Sequence, residues 1–147
     1  MATTSIARSA LLPYARENLF ALICDIESYP HYMDGCIGAS ILSSNSDLVE
    51  ARLDLSKAGI RQSFTTRNRI IRPEAVTMEL VEGPFRSLNG RWAFNALDTD
   101  ACKVSLDLVF EIDGALANIA AGKLFEGIAG NLVDSLCKRA HHLYGAR

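Results

Sequence analysis

Glu82-Gly-Pro-Phe-Arg-Ser-Leu-Asn-Gly-Arg-Trp-Ala-Phe94 joins a turn to a strand and carries the only tryptophan of the chain. Gly83-Pro84 reads as the turn, because glycine tolerates φ > 0 and proline fixes φ without an N–H to donate. Beyond it Leu88, Gly90, Trp92 and Phe94 recur at every second residue and share one strand face. Asn89, Arg91 and Asn95 take the other. A glycine two residues ahead of a large aromatic makes room for a close neighbour, either a packed helix or a ligand. The plainer alternative is an aromatic strand filling an ordinary core.

The same rhythm runs through the middle of the chain. Ile37, Ala39 and Ile41 alternate before a polar turn at 43–47, and Val49, Ala51, Leu53 and Leu55 alternate up to Gly59. Ile60, Gln62, Phe64, Thr66, Asn68 and Ile70 form one face of a long strand that Pro73 ends. Arg61, Ser63, Thr65, Arg67 and Arg69 form the opposite face. Val76, Met78 and Leu80 lead into the opening stretch. After a turn at Asp98-Thr-Asp100, Cys102, Val104, Leu106, Leu108, Phe110 and Ile112 alternate with Lys103, Ser105, Asp107 and Glu111. Residues 4–12 add a first strand, which Pro13 ends. The spacing predicts an antiparallel meander with one buried and one wet face.

Two stretches change period. Leu19, Phe20, Ile23 and Ile26 fall on one face of a short helix that begins near Ala15. Ser28 before Tyr29-Pro30 reads as a cap that restarts a second short helix, stopping near Gly35. After Asp113-Gly114, Leu132, Val133, Leu136, Cys137, Ala140, Leu143 and Tyr144 mark an amphipathic helix ending near Gly145. Gly122, Gly127 and Gly130 interrupt its upstream part from Leu116. Each costs about 1 kcal/mol against alanine in a helix interior, so a kink or a later start is expected. The order is strand, two short helices, six strands, long helix. That is an α+β fold in which only the last helix is large enough to cover the sheet. Periodicity does not say whether the space between them is filled or hollow.

Composition narrows the classes. A chain of 147 residues suits one domain, 1–147, and its 49% hydrophobic and 22% charged content suits an ordered core. A net charge of −2 excludes an overall basic field and leaves only a local basic face for nucleic acid. Cys24, Cys36, Cys102 and Cys137 form no C-x-x-C pair, so neither a zinc site nor a disulfide framework is expected. No signal-peptide layout opens the chain, and no apolar run approaches the roughly 20 residues of a membrane span. The expectation is a soluble, cytoplasmic protein, at most peripheral at the inner membrane.

Several motifs in one order then resemble a known family. They are Asp25-Ile-Glu-Ser-Tyr-Pro30, Phe64-Thr-Thr-Arg67, Glu82-Gly-Pro-Phe85 with Leu88, Gly90, Trp92 and Phe94, and Leu132-Val-Asp134 with Arg139-Ala140 and Tyr144-Gly145. Across nearly its whole length the chain resembles the START-like, helix-grip proteins of the coenzyme Q-binding and ribosome-association toxin family, which are polyketide cyclase/dehydrase-like. The resemblance implies a helix-grip, Bet v 1-like fold: a curved antiparallel sheet of about seven strands wrapped on a C-terminal helix, with a cavity between them. It implies a quinone-like or lipid-like ligand in that cavity, or action on the large ribosomal subunit. Two departures stand out. The family pattern after Tyr29-Pro30 has an apolar residue and Pro-Trp-Cys where this chain reads Met33-Asp34-Gly35-Cys36, and Gly127 and Gly130 replace larger polar residues.

Candidate sites follow from the strand faces. The expected cavity wall is Phe64, Met78, Leu80, Trp92, Phe94, Leu106 and Leu108, roofed by Phe125, Ile128, Leu132 and Leu136, with Thr66 and Asn68 as its polar residues. Asn68 is the more telling, because a buried amide without partners costs about 1–3 kcal/mol. Each apolar residue is equally at home in a plain core. Arg61, Arg67, Arg69, Arg72 and Arg91 are either a solvated face or a docking surface for ribosomal RNA or anionic headgroups. Catalysis finds little support. His31, His141 and His142 are the only histidines, and no Ser/His/Asp order, metal spacing or phosphate loop appears. Asp25, Glu27, Asp98 and Asp100 read as cap or loop acids. The expected function is therefore a carrier for a ubiquinone-type molecule, with no cofactor required. The alternatives are a translation inhibitor on the large ribosomal subunit and a polyketide aromatase/cyclase that works by shaping its substrate.

Overall fold

The computed structural model describes residues 3–112 and 116–145. The expected turn at Asp113-Gly114 lies outside them. Strand β1 (Thr3–Leu12) is followed by α1 (Arg16–Cys24) and a 3-10 helix (Ile26–His31). Six strands come next: β2 (Cys36–Ser44), β3 (Leu48–Lys57), β4 (Ile60–Ile71), β5 (Ala75–Glu82), β6 (Phe85–Asp98) and β7 (Ala101–Ile112). Helices α2 (Leu116–Ala129) and α3 (Leu132–Tyr144) close the fold. One seven-stranded sheet runs β1-β7-β6-β5-β4-β3-β2, antiparallel throughout, so β1 and β2 are its two edges. This is the α+β architecture that the strand and helix order predicts, in the helix-grip form that the family resemblance implies.

The alternation sets the two faces of the sheet. Along β7, Cys102, Val104, Leu106, Leu108 and Phe110 are buried while Lys103, Asp107 and Val109 are exposed. Residues opposite one another across a strand pair share a face, so Phe94 and Val104 continue this inner layer into β6. Leu19 and Ile23 of α1 and Leu136 of α3 complete the most deeply buried layer. Phe64, Phe85, Phe110 and Phe125 form an edge-to-face cluster, with centroids 4.9–6.0 Å apart, that ties three strands to α2. Such pairs contribute roughly 0.5–1.5 kcal/mol beyond their burial.

Four sequence-based details change. The C-terminal helix is two helices, because Gly130 and Asn131 form a turn. There the Asn131 amide donates to the Ile128 carbonyl, and its side-chain Nδ2 donates back to Gly127 O at 3.2 Å. Helix α3 begins where the apolar periodicity does. Ser28 is no cap that restarts a helix: the 3-10 helix starts earlier, at Ile26, and Ser28 donates its hydroxyl to Asp25 Oδ2 at 2.6 Å. Ile26 therefore belongs to the 3-10 helix and not to α1. In β2, Ile37 and Ile41 are exposed while Cys36 is buried. This edge strand carries two register shifts, and the first leaves Ile37 as an extra, exposed residue. Ala39 and Ile41 stay on the inner face opposite Leu53 and Ala51, with Ile41 exposed at the sheet edge.

Candidate functional site

Sheet and helices leave an apolar cavity between them, of about 70 Å³. A single water needs roughly 10–15 Å³ by this measure, so the space suits a ring-sized group. Strand β4 supplies Phe64, Thr66 and Asn68; β5 and β6 supply Met78, Leu88 and Trp92; β7 supplies Leu108; α2 and α3 supply Phe125, Ile128, Ala129 and Leu132. The other wall is Ala51, Leu53 and Leu55 of β3 with Ile26, Tyr29, Met33 and Cys36. None of these residues is charged.

Nine of the thirteen residues expected at the cavity thus meet around it. The other four do not. Phe94, Leu106 and Leu136 are almost fully buried and fill the core beyond the cavity, where Phe94 stacks on Trp92 at 6.4 Å and meets Phe20 edge-on. Leu80 is half-buried near the end of β5, away from the cavity. Sequence reasoning missed the wall built from the segment between the helices and β2. Its signal was present, because Ile26, Tyr29 and Met33 recur at three- and four-residue spacing. The space at Gly90 is taken by neither helix nor ligand: a Cβ there would fall 2.4 Å from Leu108 Cδ2 and 2.8 Å from Met78 Cε. The glycine lets two wall residues fold inward.

The polar features of the cavity are few and largely committed. Thr66 donates its hydroxyl to Asn68 Oδ1 at 2.8 Å, and both residues are buried. Tyr29 donates to the Ile23 carbonyl, and Cys36 Sγ to Gly38 O at 3.5 Å. Burial pushes the Tyr29 hydroxyl well above its ordinary pKa and raises the Cys36 thiol as well, so both stay neutral. The Asn68 NH2 group has no acceptor among the described residues. Beside the cavity, the Arg139 guanidinium lies over the Tyr32 ring at 5.2 Å, and its Nε is buried without a hydrogen-bond partner among the described residues.

The departure at Met33-Asp34-Gly35-Cys36 is part of this wall. Met33 and Cys36 face the cavity, while Asp34 is exposed and pairs with Lys57 at 3.1 Å. Gly35 has φ +89°, and a Cβ there would fall 2.6 Å from Ile128 of α2. A glycine is what both the backbone and the helix demand at this position.

The five arginines lie exposed on the outside of the molecule, but they do not make a purely basic face. Arg67 lies 3.5 Å from both Glu50 and Glu79. Arg91 shares a face with Arg69 through Thr77, and it stands opposite Asp107. Arg61 acts on Asp54, whose carboxyl is held below the ordinary range first by the Ser63 hydroxyl and then by Arg52. Arg72 packs over Phe20 and donates to Ser46 O.

No group of three His, Cys, Asp or Glu that could hold a metal occurs among the described residues. Among the described residues, no helix is long and apolar enough to cross a membrane.

Comparison with known proteins agrees with this architecture. Residues 12–137 match the family described as polyketide cyclase / dehydrase and lipid transport. The chain is 41% identical over 142 residues to the ribosome association toxin RatA of Escherichia coli K12, covering 97% of this chain and 90% of that protein. It is 20% identical to the mitochondrial coenzyme Q-binding protein COQ10 homolog B of Xenopus laevis, covering 95% of this chain and 59% of that one. Among solved structures, the Zhui aromatase/cyclase of Streptomyces sp. R1128 superposes with a TM-score of 0.85 at 14% identity, over 97% of this chain and 96% of that one. Identity that low speaks for the fold alone. The chain is a START-like, helix-grip protein and belongs to the polyketide cyclase / dehydrase and lipid transport family, with RatA proteins among its relatives.

Proposed function

We infer that the protein binds a hydrophobic small molecule with a ring-sized polar end, in the class of isoprenoid quinones, as a carrier or chaperone. The observation that carries this is the uncharged cavity with a single polar pair, Thr66 and Asn68, in an otherwise apolar wall. A ligand site is mostly apolar with a few polar groups that fix orientation, and the name of the COQ10 relative supports the quinone class. The ring occupies the cavity against Asn68. Native mass spectrometry with organic extraction, on protein purified from a respiring bacterial host, tests this. A stoichiometric quinone or isoprenoid adduct supports it; an empty protein that also ignores added quinone overturns it.

A second reading rests on the RatA relative at 41% identity: association with the large ribosomal subunit, with the effect of blocking subunit joining. The acids between the arginines weaken the outer sheet face as its RNA contact, because Glu50 and Glu79 already neutralise Arg67. Sucrose-gradient profiles with Arg67→Glu combined with Arg69→Glu test it. Loss of co-sedimentation supports the arginine face, and unchanged co-sedimentation moves the contact elsewhere on the molecule.

A further inference from the structure

We propose that the cavity selects ligands by hydrogen-bond polarity and holds the oxidised, carbonyl form of a quinone in preference to the reduced, hydroxyl form. This rests on the quinone reading above and adds Asn68 as the residue that reads the redox state. The reasoning begins with the hydrogens. The Thr66 hydroxyl donates to Asn68 Oδ1 at 2.8 Å, which turns the amide so that its NH2 group is the end without an acceptor among the described residues. The Tyr29 hydroxyl is turned to the backbone of α1, and the Cys36 thiol to its own strand. What the wall offers a buried ligand is thus a pair of amide N–H donors. Acceptors are scarce. Thr66 Oγ1 keeps a lone pair beside Asn68, and the thioethers of Met33 and Met78 accept weakly.

A quinone carbonyl is an acceptor only, so one carbonyl satisfies Asn68. The other, at the far end of the ring, meets an apolar wall at less cost than a hydroxyl hydrogen would. A quinol brings two hydroxyl hydrogens at opposite ends of the ring. One of them reaches Thr66, and the other then faces an apolar wall and goes unpaired. Ionised ligands such as fatty-acid carboxylates are disfavoured by the same wall, since no cation lines it. The protein accordingly takes up oxidised quinone in preference to quinol and retains it longer; no electron transfer by the protein is involved.

The test is anaerobic calorimetric titration with duroquinone and durohydroquinone, tailless probes whose ring positions are all methylated and closed to thiol addition. The expected result is that duroquinone binds about tenfold or more tightly than durohydroquinone. Asn68→Leu should bring the two affinities within about twofold, chiefly by weakening duroquinone. Thr66→Val frees the amide to turn its oxygen into the cavity and should narrow or reverse the preference, which keeps the test open if Asn68→Leu does not fold. Equal affinities in the unsubstituted protein overturn the redox selectivity alone. Failure to bind either form overturns the quinone reading as well.

Discussion

Gly35 stands so close to Ile128 that a Cβ on the glycine would fall 2.6 Å from the isoleucine Cδ1. The contact joins the loop ahead of β2 to α2, and Ile128 also faces the cavity. Gly35→Ala should therefore destabilise the fold by about 1–3 kcal/mol, from the strain of φ +89° and from overpacking together. Urea unfolding of the two proteins measures this. Unchanged midpoints would mean that loop and helix separate freely.

Ala51 is 2% exposed and faces the cavity from β3. Ala51→Leu adds three carbons where space already exists, so stability should change by less than about 1.5 kcal/mol. Binding of a ring-sized ligand should be lost. Thermal melts with and without added quinone check both halves: a variant that folds and still gains stability from quinone would place the ligand elsewhere.

The Ser63 hydroxyl, 2.5 Å from Asp54, lowers the pKa of that carboxyl, with Arg52 assisting at 3.0 Å. A depressed folded-state pKa gives stability that is complete above the ordinary carboxylate value of about 3.9 and is lost as pH falls through the lowered one. Asp54→Asn should flatten the acid limb of a stability–pH profile measured by urea midpoints. Parallel acid limbs for the two proteins would refute the assignment.

Cys102 behaves in the opposite sense. Burial lifts its thiol pKa to about 11, against a small lowering by Arg16. A raised folded-state pKa gives stability that is present below the ordinary thiol value of about 8.5 and is lost as pH rises through about 11. Cys102→Ala should show a shallower alkaline fall in melting temperature than the unsubstituted protein. The pairwise difference matters because Tyr29 and Tyr32 are also raised by burial and contribute to the same limb.

These positions also show why some of the molecule was legible in the sequence and some was not. The seven strands were legible because a half-buried strand writes its burial as an alternation, as β7 does from Cys102 to Phe110. Thr66 and Asn68 stood out as polar residues on an apolar face. Phe94 and Leu106 were misplaced because alternation tells which face a residue takes but not how far along the strand the helices pull away, and Leu136 because helical periodicity likewise gives a face and not a depth. Tyr29, Met33 and Cys36 escaped because the three- and four-residue spacing of Ile26, Tyr29 and Met33 is too short a signal: a 3-10 helix, a turn with a left-handed glycine and a bulged edge strand succeed one another within about twenty residues. The arginine row was visible, whereas the neutralisation of Arg67 by Glu50 and Glu79 depends on the register of the two hairpins that flank β4.

The pairing of β1 with β7 has a consequence for how the chain is made. Thr3 finds its partner in Glu111, so the first strand synthesised waits for the last. The hairpins from β2 to β7 close locally and can form as they emerge, but long-range pairings come late because loop closure must precede them. The helices that roof the cavity emerge later still. A nascent chain thus presents a bare apolar trough before it has a pocket, and an oily ligand present at that stage can be enclosed without any door having to open.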